Sequence, residues 1–275
     1  MSSEDSLPES ILTISDSTDP RENRLKDIFP PGFDGKHNIT RGHYTLAPGQ
    51  LYRSLTNSNE PDHHVESIIV KTAWYAKGTK HYKQEFILMQ VQDREMPDLE
   101  NYLILDRSDS TPSSSFSGII PDFRMRAHGL VARDAFRIAY DGGKDQLLHE
   151  CHLSSHKQLE QLDFQSGKPL YLYQLATLVF LTSERYPDLP AAGMNHCWFT
   201  RLIWECLGKE RPIAKRTPPN SPERKWEKID RAHNTPSSEQ ITNACREFQQ
   251  RVNTVDAVLA QRKKMWEGQQ WADNY

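Results

Sequence analysis

Residues 193–208 read GMNHCWFTRLIWECLG, and the rest of the chain is best read outward from them. Phe199, Leu202, Ile203, Cys206 and Leu207 recur at steps of three and four, so the run predicts a helix with one core-facing side. Gly208 stands where a C-cap glycine would close that helix. Just upstream, PLYLYQLATLVFLTSERY is apolar on most faces, begins at Pro169 in a tolerated first-turn position, and stops before Pro187. Two helices joined by PDLPAAGMN are expected to pack together.

What they pack against lies earlier. SIIVKTAWYA from Ser67, EFILMQVQD from Glu85 and NYLILDRS from Asn101 are short and rich in β-branched and aromatic residues. AKGTK and REMPDLE separate them, which suggests an antiparallel meander. SDSTPSSSFSG, residues 108–118, is a loop by composition, and ARDAFRIAY adds a strand that ends at the Asp141-Gly142-Gly143 turn signal. KDQLLHECHLSSHKQLEQLDF is compatible with strand or helix. The fold class is therefore α+β: an antiparallel sheet packed against two helices, with a further helix at the C-terminal end.

Residues 1–43 are rich in Ser, Asp, Pro and Gly without periodicity and read as a disordered tail before a domain spanning 44–208. Residues 209–236 read as a charged linker. Its stretch KERPIAKRTPPNSPERKWEKIDRAH holds eight Lys and Arg against four Asp and Glu, too mixed for a nucleic-acid arm. An amphipathic helix over 237–267 starts at Ser237 and Gln240, which have capping-box spacing. Ile241, Phe248 and Val255 recur every seven residues, so this helix either docks on the domain or meets a partner; docking is the expectation.

The bulk numbers narrow the class. With 275 residues, 36% hydrophobic and 26% charged, the chain suggests one folded centre diluted by polar ends. A net charge of −3 gives no general attraction to nucleic acid or anionic lipid. No apolar run reaches membrane-spanning length, and the acidic start MSSEDSLPES lacks a signal peptide's basic and apolar regions. Cys151, Cys197, Cys206 and Cys245 form no metal-ligand spacing or disulfide framework, so no metal or cofactor is expected and free thiols in a cytoplasmic setting fit best, the nucleus being the alternative. DGGK at 141–144 lacks P-loop spacing, and FSG at 116–118 is only half of a serine-nucleophile elbow.

One constellation carries chemistry. Cys197 falls in the first turn of a helix, where partial positive charge favours a thiolate. Thiol catalysis also needs an imidazole held by a polar group. His63, His64 and His81 precede the strands, His81 stands nearest the entrance to EFILMQVQD, and Asp106 at the end of the next strand could orient it. Against this, cysteine is among the most buried residue types, and Asp106 beside Arg107 could simply end a strand.

The order of sheet strands, apolar helix and Asn-led cysteine helix, YLYQLATLVFLTSERYPDL followed by NHCWFTRLIWECL, resembles the circularly permuted branch of the NlpC-type papain-like superfamily. That branch includes the lecithin retinol acyltransferase relatives, and the same shape resembles uncharacterised fungal proteins read as members. The resemblance covers roughly residues 66–208. It implies a papain-like fold, a cysteine that attacks an acyl or amide carbonyl, and a histidine on a sheet strand as base. The family helix opens Asn-Cys-Glu-His-Phe. Aligning Phe199 with that phenylalanine puts His196 at the nucleophile position, whereas aligning Cys197 with the cysteine displaces Asn195 and Phe199 by one. One residue is about 100° on a helix. The strand begins Gln84-Glu85-Phe86 where the family has its histidine, and His81 comes three residues too early.

Two functional readings follow. In the first the chain is a thiol hydrolase or acyltransferase on a small acyl or peptide substrate, with Cys197 as nucleophile, His81 as base, Asp106 as orienter, and Asn195 or nearby amides polarising the carbonyl. His196 could exchange roles with these groups. In the second the scaffold has lost its chemistry and is a non-catalytic module that contacts an unknown protein, through the linker or the 237–267 helix.

Overall fold

The computed structural model describes residues 24–30, 43–57, 64–79, 84–109, 132–187, 195–218 and 235–273, the side chains of 108, 109, 132, 133, 195, 196 and 267–273 excepted. It is an α+β protein. Eight strands, β1 (His43–Leu46), β2 (Ile68–Gly78), β3 (Glu85–Asp93), β4 (Glu100–Asp109), β5 (Ala132–Ala139), β6 (His156–Asp163), β7 (Leu170–Tyr171) and β8 (Lys215–Thr217), form one sheet. Its order is β1-β5-β4-β3-β2-β6-β8, with β7 also on β2, and every pairing is antiparallel. The helices are α1 (Pro48–Asn57), α2 (Lys144–Glu150), α3 (Leu172–Arg185), α4 (Asn195–Glu210) and α5 (Ser238–Asp273).

The expected meander is β2-β3-β4, and the short runs that defined it are central because they are apolar on both sides. In β3, Ile87, Met89 and Val91 face a large core shared with α1, α3, α4 and α5, while Phe86 and Leu88 face a smaller core closed by Leu147 and Leu148 of α2. Tyr75, Leu103, Leu105 and Phe136 of the neighbouring strands join the large core, and Ala76, Ile104 and Ala139 the small one. Side chains alternate across a strand, so each neighbouring pair is split between two environments. We refer to the side bearing α3 and α4 as the front and the side bearing α2 as the back.

Several boundaries differ from the sequence expectation. The ambiguous stretch 144–164 is both things, α2 followed by β6. Leu170 and Tyr171, expected in the first helical turn, instead pair with Val70 and Ile69. Strand β6 follows β2 only from Thr72 to Gly78, so the start of β2 is open to β7 and the helix begins at Leu172. Helix α4 runs through Gly208 to Glu210, because Gly208 does not adopt the left-handed conformation of a terminating glycine. In the expected linker, 215–217 forms β8 on the edge of β6, exposed and therefore polar in composition. Within the expected tail, residues 24–30 are packed: Leu25, Ile28 and Phe29 enter the front core, and Arg24 pairs with Asp93 at 3.2 Å. Most of the serine-rich loop, residues 1–23 and 31–42, and residues 219–234 lie outside the described residues.

The C-terminal helix docks. Cys245, Phe248, Val252, Val255 and Leu259 are buried, and Tyr173 of α3 donates to Asp256 at 2.7 Å. Its start is the expected capping box: the Gln240 amide donates to the Ser237 hydroxyl, and the Ser237 amide to the Gln240 side chain. No helix among the described residues is long and apolar enough to cross a membrane.

Candidate functional site

The first turn of α4 lies against the beginning of β3, and this junction holds Cys197. Cys197 is 7% exposed. Its neighbours are charged: the Glu85 carboxylate, with Lys77 and Arg201 further out. Burial comes first, then the negative charge of Glu85; together they push the Cys197 thiol up to about 12 against the pull of the two cations. A helix N-terminus ordinarily favours a thiolate, but a carboxylate beside a desolvated sulfur outweighs it.

Glu85 is the centre of this junction. It is fully buried, and the Arg201 guanidinium grips both its oxygens, Nε at 3.0 Å and Nη2 at 2.7 Å. The Tyr75 hydroxyl donates to it, Lys77 Nζ lies 3.3 Å away, and Thr200 donates to its backbone carbonyl at 3.2 Å. Burial alone would raise the acid's pKa; hydrogen bonds from Arg201 and its charge, then Tyr75 and Lys77, bring it below the usual carboxylate range. Tyr75 is pushed well up, by burial and then by Glu85, so it stays a phenol. The Trp204 ring stacks on Tyr75 at 5.5 Å, and its indole N–H donates to Glu160 at 2.8 Å. The helix offers this set because Cys197, Arg201 and Trp204 are spaced by four and three residues and share one face.

A second ion pair anchors the same helix. Arg107 of β4 is 2% exposed, donates to Asp134 of β5 at 2.8 Å, and lies 4.4 Å from the centre of the Phe199 ring.

Asp106, the expected orienting acid, is not part of this site. It pairs across the strands with Phe86, which faces α2, so its carboxyl points to the back while Glu85 and Cys197 occupy the front. There Asp106 accepts from Gln84 at 2.8 Å and Arg137 at 3.0 Å, and its other oxygen is buried with no hydrogen-bond partner among the described residues. Burial dominates and raises its pKa despite Arg137. The same pocket raises Cys151 to about 12, again chiefly by burial. His43, on the neighbouring β1, is lowered by burial and then by Arg137.

Of the remaining expected groups, His64 alone has a described side chain. His81 and His63 lie outside the described residues. His64 sits in a left-handed turn with φ of 44° and contacts Glu95 at 2.9 Å, beside Arg24 rather than beside Cys197. Asn195 and His196 open α4, and their side chains lie outside the described ones. The structure thus brings Cys197 together with Glu85, not with Asp106. Glu85, Arg201, Tyr75 and Lys77 are the groups that sequence reading missed. The available signal was an acid leading an apolar strand and an arginine within an apolar helix. Among the described residues no cluster of three or more His, Cys, Asp or Glu side chains is placed to hold a metal ion.

No family model, curated protein or solved structure matches the chain.

Proposed function

We propose that the chain is a non-catalytic binding module, with the thiol site of a papain-like scaffold converted into a structural ion-pair lock. The observation that carries this reading is the Glu85 carboxylate against the Cys197 thiol. A nucleophilic cysteine needs a base that accepts its proton and then stands as a cation beside the thiolate. Glu85 is ionised, already saturated by Arg201, Tyr75 and Lys77, and repels the thiolate. The surface available to a protein partner includes the outer side of α5, where Val258, Met265 and Trp266 are exposed. Four free thiols suit a reducing cytoplasmic setting.

The thiol hydrolase or acyltransferase reading keeps one favourable observation: Cys197 lies in a helical first turn facing the start of a central strand. One experiment separates the two. Intact protein is incubated at neutral pH with iodoacetamide and, separately, with a panel of acyl esters and amides, alongside Cys197→Ser. The binding reading expects Cys197 to remain unmodified in the folded protein and the two proteins to show the same background turnover. Rapid alkylation of Cys197, or turnover abolished in Cys197→Ser, overturns it.

A further inference from the structure

The interface between α4 and α5 contains a pair of cysteines that neither functional reading uses. Cys206 is 0% exposed and Cys245 5%, and both are free thiols. The Cys206 thiol donates to the Ile241 carbonyl at 3.9 Å, one helical turn before Cys245, which sets the two cysteines side by side across the interface. Polar contacts that flank Cys245 fix the register of the C-terminal helix on the end of α4: Lys209 donates to Thr242 at 3.0 Å, and Gln249 donates to Glu210. Two buried thiols on facing helices, one turn apart from a shared carbonyl contact, need little backbone movement to come within bonding distance.

We propose that Cys206 and Cys245 form a reversible redox modification site, an oxidisable dithiol that becomes a disulfide fastening the C-terminal helix to α4. The oxidant class is a low-molecular-weight disulfide such as oxidised glutathione. The Cys245 thiolate attacks one sulfur of that disulfide and expels one thiolate, giving a mixed disulfide on Cys245. Cys206, losing its proton to solvent, then attacks the Cys245 sulfur and expels the second. Two protein thiols are oxidised by two electrons, and one small disulfide is reduced to two small thiols. The order of attack follows from the thiols' environments. Cys245 keeps 5% of its surface exposed and Cys206 none, so the incoming disulfide meets Cys245 first, and the pair's coupling lowers Cys245 while it raises Cys206. Cys151 and Cys197 lack this arrangement: each is raised to about 12, chiefly by burial. The closed loop would span the segment between α4 and α5, so oxidation constrains the unfolded chain as well as the docked helix.

The test uses the full chain, reduced and then equilibrated with glutathione buffers of rising oxidised-to-reduced ratio. Remaining thiols are alkylated under denaturing conditions and peptides are mapped without reduction. The expected product is a Cys206–Cys245 cross-linked peptide whose yield rises with the ratio and reverses on reduction, while Cys151 and Cys197 stay alkylatable. Cys206→Ser is expected to stop at glutathione on Cys245, and Cys245→Ser to leave Cys206 unmodified. If wild-type protein shows both thiols free, or each carrying its own glutathione without the cross-link, the proposal is overturned. The wild-type result stands even if a variant fails to fold. It is also independent of the Cys197 reading, since neither thiol belongs to that junction.

Discussion

Glu85 and Asp106 stand at the same end of adjacent strands, both buried and both paired with an arginine, yet they titrate in opposite directions. On the front, Glu85 is held below its ordinary range by a two-pronged Arg201, a tyrosine and a lysine. On the back, Asp106 has one oxygen shared between Gln84 and Arg137 and the other with no partner among the described residues, and burial raises it. Burial alone therefore does not set a carboxyl group's charge; the number of donors on the ionised form decides whether desolvation wins. The contrast also bears on function, because the well-satisfied carboxylate is the one beside Cys197 and keeps its thiol protonated.

The largest expected break in this comparison comes from removing the cation. Arg201→Met leaves Glu85 as a buried charge with a weakened shell and is expected to cost about 3–5 kcal/mol. Arg137→Met on the back, where the arginine is partly exposed, is expected to cost clearly less. Urea denaturation midpoints of the two variants measure this, and equal losses would remove the asymmetry. Pairing Arg201→Met with Glu85→Gln is expected to restore part of the loss, since the neutral amide no longer requires a cation.

Packing should show the same ranking. Leu175 on α3 is sealed inside the large front core, and Leu148 on the short α2 closes the small back core. Leu175→Ala is expected to cost about 4–5 kcal/mol and Leu148→Ala about 2–3 kcal/mol, because a one-helix layer can collapse over the lost side chain. Calorimetric unfolding compares them directly. A larger loss at Leu148 would mean that the back layer is the stiffer one.

Acid titration gives a smaller, sharper contrast. The folded pKa of Glu85 is depressed, so its contribution is present above its unfolded value of about 4.3 and is lost as pH falls through the lower folded value. The folded pKa of Asp106 is raised, so its charge is a penalty above that value, relieved as pH falls toward about 3.9. At neutral pH, Glu85→Gln is expected to cost about 2–3 kcal/mol and Asp106→Asn less than about 1 kcal/mol. Below about pH 4 the Glu85→Gln deficit should shrink, whereas wild type should gain on Asp106→Asn. Unfolding curves at neutral and acid pH test both slopes.

The strands and the two central helices were legible because apolar runs and three-and-four spacing record burial directly. Where pairing partners decide, local sequence was silent. Leu170 and Tyr171 look helical until β6 is seen to leave the edge of β2 uncovered at Ile69 and Val70, and β8 is a polar edge that local composition files as linker. The short packed piece around Ile28 was hidden by polar surroundings. The site was legible only by half. Cys197 in a helical first turn was readable, but assigning Asp106 to it required knowing which face each residue of β4 occupies. Glu85 was visible as the residue standing where the resemblance expects a histidine, yet its role depends on Arg201, whose partner lies 116 residues away.

The most direct measurement is the ionisation of Cys197 itself. Protein labelled with carbon-13 at cysteine Cβ, assigned with Cys197→Ser, can be titrated by NMR while the fold is monitored in parallel. The account predicts a Cys197 signal that does not move from its thiol position until strongly alkaline pH, approaching the value of about 12 set by burial and Glu85. In Glu85→Gln the same transition is expected at lower pH. A Cys197 that ionises near or below the ordinary thiol value of about 8.5 would contradict the structural-lock account and return the chain to the thiol enzymes.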